Sequence, residues 1–191
     1  MALHSLQDLY LDHIQDLYSA ETQILDALPK MIDKASHPQL RDGFTQHLRQ
    51  TQQHASRLEE IAGRLDEDAG GKTCKGMEGV LKEGEDMIKH VDDANLLDAA
   101  LIAAAQRVEH YEIAGYGCAR TYAAALGRND EAALLQQTLD EETETDKKLT
   151  QLALSLVNPD AQKSINVERE TSLRTERERG TGRPIDREIR P

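Results

Sequence analysis

Four segments of this 191-residue chain repeat apolar residues at three- and four-residue spacing, and each sets ionisable side chains inside its own apolar stripe. In the last segment Ala132, Leu135, Leu139, Leu149, Ala153 and Leu156 keep the spacing, and Glu142 and Asp146 fill the gap. In the second, His47, Thr51 and His54 lie between Phe44 and the group Leu58, Ile61 and Leu65. In the first, Glu21 falls between Leu17 and Leu28, next to Ile24; in the third, Glu112 falls between Val108 and Gly115, with Glu109 one turn back. A buried charge costs on the order of several kcal/mol unless something neutralises it. Four helices that converge carboxylates and a histidine on one core layer therefore point to a metal, and to a pair of ions.

The composition agrees with helices. The chain has no Trp, one Phe and five Tyr, is rich in Leu, Ala, Glu, Gln and Asp, and has too few β-branched residues for a sheet. The expected fold class is all-α, a four-helix bundle of two antiparallel hairpins. Pro29 falls late in the first helix, read over 5–35, and Ser36-His37-Pro38 turns the chain into a second, read over 38–66. Gly70-Gly71 breaks the pattern, and Met77, Val80, Leu81 and Ile88 predict one or two short helices within 75–91, in a long crossover. A third helix is read over 94–126 with Gly127 as its C′ residue, and a fourth over 131–157, capped by Asn129-Asp130 and stopped by Asn158-Pro159.

This divides the chain into a helical domain at 1–157 and a charged tail at 158–191, read as mostly disordered and as a candidate arm for an unidentified protein partner. The net charge is −12, and the tail, with eight Lys/Arg and seven Asp/Glu, is close to neutral, so the body carries the acidity. Such a body repels phosphate backbones, which argues against nucleic acid as a partner. Neither a signal peptide nor a run long enough to span a membrane is read, and Cys74 and Cys118 lack metal-finger spacing; free thiols and a cytoplasmic location are expected.

The two halves echo each other: Glu21 precedes Gln50 by 29 residues and Glu112 precedes Glu142 by 30, and Gln50/His54 and Glu142/Asp146 each stand four apart. Residues at that spacing share a helix face. The candidate metal set is Glu21, Gln50, His54, Glu109, Glu112, Glu142 and Asp146. Carboxylate oxygen and imidazole nitrogen suit iron, manganese or zinc. His47 has no paired counterpart and is read as a supporting or structural residue; His110, Glu141 and Glu144 are read as solvent-facing.

At these residues the chain resembles the YciE/YciF family of bacterial ferritin-like stress proteins. The resemblance is carried by Leu17-Tyr18-Ser19-Ala20-Glu21, Met77-Glu78-Gly79, the stretch from Asp98 to Gln106, Val108-Glu109-His110-Tyr111-Glu112-Ile113-Ala114-Gly115-Tyr116-Gly117, and Glu141-Glu142 followed by Thr145-Asp146 and Leu149-Thr150. It covers about residues 3–157. It implies a ferritin-like bundle with extra short helices in the crossover, a homodimer, a dinuclear site most often of iron, and a part in osmotic and general stress responses. Where the family carries Glu this chain has Gln50, a neutral donor. The wider ferritin-like pattern of Glu-x-x-His on two helices is also altered, with Asp146 in place of the second His, so ferroxidase chemistry is not carried over.

Two functions are expected to compete. One is a di-iron protein that reacts with oxygen or peroxide, with Tyr18, Tyr111 and Tyr116 near its carboxylates in sequence. The other is a non-enzymatic stress protein in which metal only staples the helices and the acidic surface and tail make contacts.

Overall fold

The computed structural model describes residues 3–163. The helices are α1 (Leu6–Lys34), α2 (Pro38–Gly63), α3 (Lys75–Ile88), α4 (Ala94–Ala125) and α5 (Asn129–Leu152). Short turns at 35–37 and 126–128 make α1/α2 and α4/α5 two antiparallel hairpins. Contacts of α1 with α4 and of α2 with α5 close the four-helix bundle, and α3, in the crossover, lies on α4 and α1. No strand occurs among the described residues, and none of their helices is long and apolar enough to cross a membrane.

Local chemistry sets the helix ends. The Ser5 hydroxyl accepts the Asp8 N–H at 3.1 Å, and the Asp8 carboxylate accepts the His4 N–H at 2.9 Å, a reciprocal cap that starts α1. Asp93 accepts the Leu96 N–H at 2.8 Å and starts α4. Between α4 and α5 the Arg128 N–H reaches back to the Ala123 carbonyl, with Gly127 at φ +73°. That is a Schellman turn, and it needs a residue that tolerates the left-handed region. Arg128, and not Asn129-Asp130, is the residue that precedes α5, and its side chain makes no cap.

The end of α5 also differs from the sequence reading. A π-helical turn at Ala153–Val157 follows α5, and the chain stays helical through residue 163. The wider π register already interrupts the i→i−4 ladder just ahead of Pro159, where proline's missing N–H would otherwise break it. Residues 158–163 thus continue the helix, and Ala161 is buried. The rest of the expected tail lies outside the described residues.

Two apolar clusters fill the bundle. One joins Ile24, Leu28, Leu40, Phe44, Leu101, Ile102 and Leu149 with Met77 of α3. The other joins Tyr10, Ile14, Leu17, Leu58, Ile61, Tyr116 and Leu135. Glu21, His54, Glu112 and Glu142 fall in sequence between the large apolar residues that their own helices give to each cluster, so the polar layer lies between two hydrophobic ones. Close approach of α1 and α4 frames this layer. A Cβ on Gly115 would stand 2.8 Å from Leu17 Cδ2, one turn before Glu21.

Not every buried acid belongs to that layer. Asp98 of α4, 2% exposed, accepts the backbone N–H groups of Ser36 and His37 at 2.8 and 2.9 Å and the Ser36 hydroxyl at 2.6 Å. It ties the α1–α2 turn to the second hairpin where α2 has no side-chain cap of its own. Asp98→Ala strands these donors and is expected to cost about 2–3 kcal/mol. Chemical denaturation, or a fall in Tm of roughly 5–10 °C, checks it.

Candidate metal centre

Each helix of the bundle supplies the central layer: Glu21 from α1, His47, Thr51 and His54 from α2, Glu109 and Glu112 from α4, and Glu142 from α5. All seven are at most 3% exposed. Side chains seven apart on a helix differ by only about 20° around the axis, so α2 turns His47 and His54 to the same side. Thr51 lies between them, three residues before His54.

Two donor groups form. In the first, His54 Nδ1 stands 2.8 Å from Glu142 Oε1 and 3.4 Å from Glu21 Oε1. In the second, His47 Nε2 stands 3.3 Å from Glu109 Oε1, His47 Nδ1 stands 3.9 Å from Glu142 Oε2, and Glu112 completes the set. One donor atom from each member of a group lies within 4.8 Å of all the others, and Glu142 belongs to both groups.

The donors are enclosed yet unsatisfied. Twelve buried side-chain nitrogen and oxygen atoms among the described residues lack a hydrogen-bond partner, and all but His37 Nδ1 and Arg120 Nε belong to this layer. They include both oxygens of Glu112 and Glu142, both ring nitrogens of His47, and His54 Nδ1, whose near contact with Glu142 is not aligned as a hydrogen bond. Native proteins satisfy nearly all such atoms. A concentration of orphaned oxygen and nitrogen donors fits cations of the first transition row.

A second ring of groups braces part of the layer. The Tyr116 hydroxyl, fully buried, donates to Glu21 Oε1. Glu141 Oε2 lies 2.8 Å from His54 Nε2, and Arg57 grips both oxygens of Glu141 at 2.7 and 3.1 Å. The Gln137 amide donates to Glu141 as well, at 3.1 Å. Histidines that bind metal through one nitrogen commonly donate the other N–H to a carboxylate, which fixes tautomer and ring orientation.

Electrostatics follows from this crowding. Burial, then repulsion from neighbouring carboxylates, pushes Glu109 and Glu112 well above the usual carboxylate range. Burial raises Glu21 too, against the pull of His54. Burial also opposes ionisation of Glu142, but the nearby His54 and His47 outweigh it and hold it below its ordinary value. Burial would lower His54; Glu142 and Glu21 beside it reverse the sign and push it up to about 10. His47 is lowered by burial. Burial would raise Glu141, but hydrogen bonds from Arg57, Gln137 and His54 bring it down to about 2.

Of the seven residues expected from sequence, Glu21, His54, Glu109, Glu112 and Glu142 meet in the layer. Gln50 is half-buried on α2, and Thr51 takes the buried place beside it. Asp146 is 21% exposed; it accepts from the Gln106 amide at 3.0 Å and lies 3.4 Å from His110 Nε2. Four residues advance a helix by about 400°, which carries Asp146 some 40° past Glu142, onto the edge facing α4. His47, read as merely supportive, stands inside the second donor group, and its seven-residue spacing from His54 was the available signal. Glu141, read as solvent-facing, is 24% exposed and engaged by His54 and Arg57. Tyr18 donates to exposed Glu59, and Tyr111 donates to Asp16 beside Cys74, so Tyr116 alone of the three touches a donor of the layer.

These shifts predict how the metal-free protein responds to pH. His54 stays protonated in the folded chain up to about pH 10, against 6.5 when unfolded, so its stabilisation is complete below 6.5 and is lost as pH rises toward 10. Glu109 and Glu112 act in the same direction, because the unfolded chain releases their protons first. The opposite shifts of His47, Glu141 and Glu142 change nothing above about pH 7.5. The metal-free Tm is therefore expected to fall between about pH 7.5 and 10. Thermal melts across that window check it, and a flat or rising Tm contradicts the assignment.

Comparison with known proteins agrees with this architecture. The chain is 39% identical over 163 residues to Protein YciF of Escherichia coli strain K12, spanning 85% of this chain and 98% of YciF. The crystal structure of that E. coli stress protein superposes with a TM-score of 0.78, covering 82% of this chain and 99% of YciF. YcfI of Rhodopseudomonas palustris, also 39% identical, superposes at 0.75, covering 77% of this chain and 94% of its own. A two-domain protein of Anabaena variabilis with DJ-1/ThiJ/PfpI-like and ferritin-like domains, 13% identical, matches at 0.52 over 98% of this chain and 41% of its own, a likeness of fold alone. The bundle is ferritin-like, and the family model described as a domain of unknown function (DUF892) matches residues 5–162, so the chain belongs to that family, with YciF as a relative.

Proposed function

We propose that this chain is a stress-response protein whose bundle core holds a pair of divalent metal ions, iron first among them with manganese or zinc as alternatives, and that the loaded site reacts with oxygen or peroxide. The stress role rests on its relative YciF, a stress protein of E. coli. The observation that carries the metal reading is Glu142, a single enclosed carboxylate shared by two donor groups whose remaining members come from α1, α2 and α4. Glu21 and His54 would hold one ion, and His47, Glu109 and Glu112 the other. Bound there, iron supplies one-electron chemistry toward oxygen species.

The side chains define the rest. Acids on every side favour the more highly charged, oxidised state. The Tyr116 phenol, raised well above its ordinary range by burial and by Glu21, keeps its proton and presents it to Glu21. Arg57 and Glu141 hold the His54 ring. Glu21, His54, Glu112 and Glu142 are all 0% exposed, so the layer is closed to bulk solvent.

That enclosure also favours a second reading, in which metal only stabilises the bundle and the protein acts without turnover. A cavity of about 680 Å³ lies between α1 and α3, lined by residues such as Ala27, Met31, Leu81 and Ile88, and not by members of the acid layer.

Anaerobic reconstitution with Fe(II) followed by elemental analysis is expected to give a pair of ions per chain; iron well below one per chain overturns the metal reading. Admitting oxygen is expected to produce a near-ultraviolet charge-transfer band, and silence at saturating iron leaves the structural reading in force. Glu142→Ala is expected to weaken metal retention at least about tenfold. A structural metal predicts a matching loss of Tm, and a reactive one predicts lost turnover with modest destabilisation.

A further inference from the structure

We infer that the two metal positions are unequal and fill in order, the one built on Glu21 and His54 first, with Arg57, Glu141 and Tyr116 acting as its positioning residues. The inference rests on the metal reading above and goes beyond it, because it ranks the two donor groups by what stands behind their donors.

The difference lies in what stands behind each donor. At the first position, the Arg57 fork holds Glu141, and Glu141 Oε2 sits 2.8 Å from His54 Nε2. This pins the Nε2 proton toward Glu141 and leaves Nδ1, with no hydrogen-bond partner, facing Glu21 and Glu142. Tyr116 occupies Oε1 of Glu21 in the same manner, so that Oε2 is the unpartnered oxygen. Each side chain therefore has one atom engaged by the protein and one on the ligand side, which for His54 is Nδ1 once it releases the proton it carries in the metal-free chain. Arg57 itself is 14% exposed and acts on His54 only through Glu141.

At the second position the donors lack such support. Both ring nitrogens of His47 and both oxygens of Glu112 are without partners, and Glu109 keeps one unpartnered oxygen. An imidazole with neither N–H fixed has no imposed tautomer, and a carboxylate with neither oxygen anchored has no imposed rotamer. Binding there must order the side chains as well as hold the ion, and that ordering is subtracted from affinity. Charge counting alone predicts the reverse order, because the second group offers three carboxylates and the first offers two. The order of filling therefore separates preorganisation from charge.

The test is a calorimetric titration of metal-free, full-length protein with Mn(II), with unbound Mn(II) counted by electron paramagnetic resonance. Wild type is expected to bind in two resolved steps. Arg57→Ala should weaken the tighter step about 10- to 100-fold, the usual scale for losing an outer support of a ligand, and leave the weaker step in place. Arg57→Lys should restore part of the loss. Glu112→Gln should weaken the later step alone. Tyr116→Phe, which deletes one oxygen, should weaken the first step and decides the point where Arg57→Ala does not fold. General damage to the bundle would move both steps together, so selectivity for one step is the readout that positioning requires. Two indistinguishable steps, equal weakening of both by Arg57→Ala or Tyr116→Phe, or weakening of the later step alone overturns the ordering while the metal reading stands. Absence of Mn(II), Fe(II) and Zn(II) binding in wild type removes both.

Discussion

Mutual repulsion among four enclosed carboxylates is the constraint around which this bundle is organised. Glu21, Glu109, Glu112 and Glu142 share one layer with two imidazoles, and no lysine or arginine donates to those four acids among the described hydrogen bonds and ion pairs. A protonated His54 offsets one negative charge. Protons or cations must offset the others, and protons enter only by shifting Glu109 and Glu112 far from their ordinary range. The layer survives because apolar packing on both sides holds it. Each fully buried Leu, Ile or Phe contributes about 1.5–3 kcal/mol, and the two clusters contain many of them. The hydrophobic ends stabilise the bundle, and the middle uses part of that stability to keep its donors unsatisfied.

The hairpin topology serves the same end. Two short turns fix α1 against α2 and α4 against α5, so each hairpin brings an acid from one helix opposite a His or Glu from the next. Asp98 then locks the first turn to the second hairpin, and Gly115 lets Leu17 lie directly on α4 beside the layer. These contacts fix the relative height of the helices. A shift of one turn, about 5.4 Å, would exceed the 4.8 Å within which the donor atoms gather.

Much of this was legible from apolar spacing. Helix existence, hairpin order and the interruption of each stripe by acids follow from a 3.6-residue period, and five of the layer's acids and histidines were identified that way. The two expected residues that the structure leaves outside the buried layer, Gln50 and Asp146, share one cause. Pairing residues at i, i+4 selected Gln50 with His54 and Asp146 with Glu142, although about 400° of rotation sets the two members of such a pair about 40° apart, and here Gln50 and Asp146 fall off the buried line. The i, i+7 relation of His47 and His54 lies closer to that line. Glu141 was hidden for a different reason. Its sequence position is that of an outward acid, and only Arg57 and His54, 84 and 87 residues away, draw it inward. The continuation past Pro159 depends on a π turn that no pattern of apolar residues encodes.

The contrast between this protein's buried acids marks the central layer as one that could hold a metal ion. Asp98 is buried and receives three hydrogen bonds. Glu131, also buried, accepts from the Tyr10 hydroxyl at 2.9 Å and from Arg128 at 2.9 Å. The same helices that satisfy those acids leave both oxygens of Glu112 and of Glu142 bare. A fold that could not supply donors would leave orphans throughout its interior. Among the described residues ten of the twelve gather in one layer, nine of them on carboxylates and imidazoles, around a carboxylate common to two groups. Replacing those acids by apolar residues of similar size would relieve the repulsion and extend the two clusters into one. Retaining them makes physical sense where cations complete the layer.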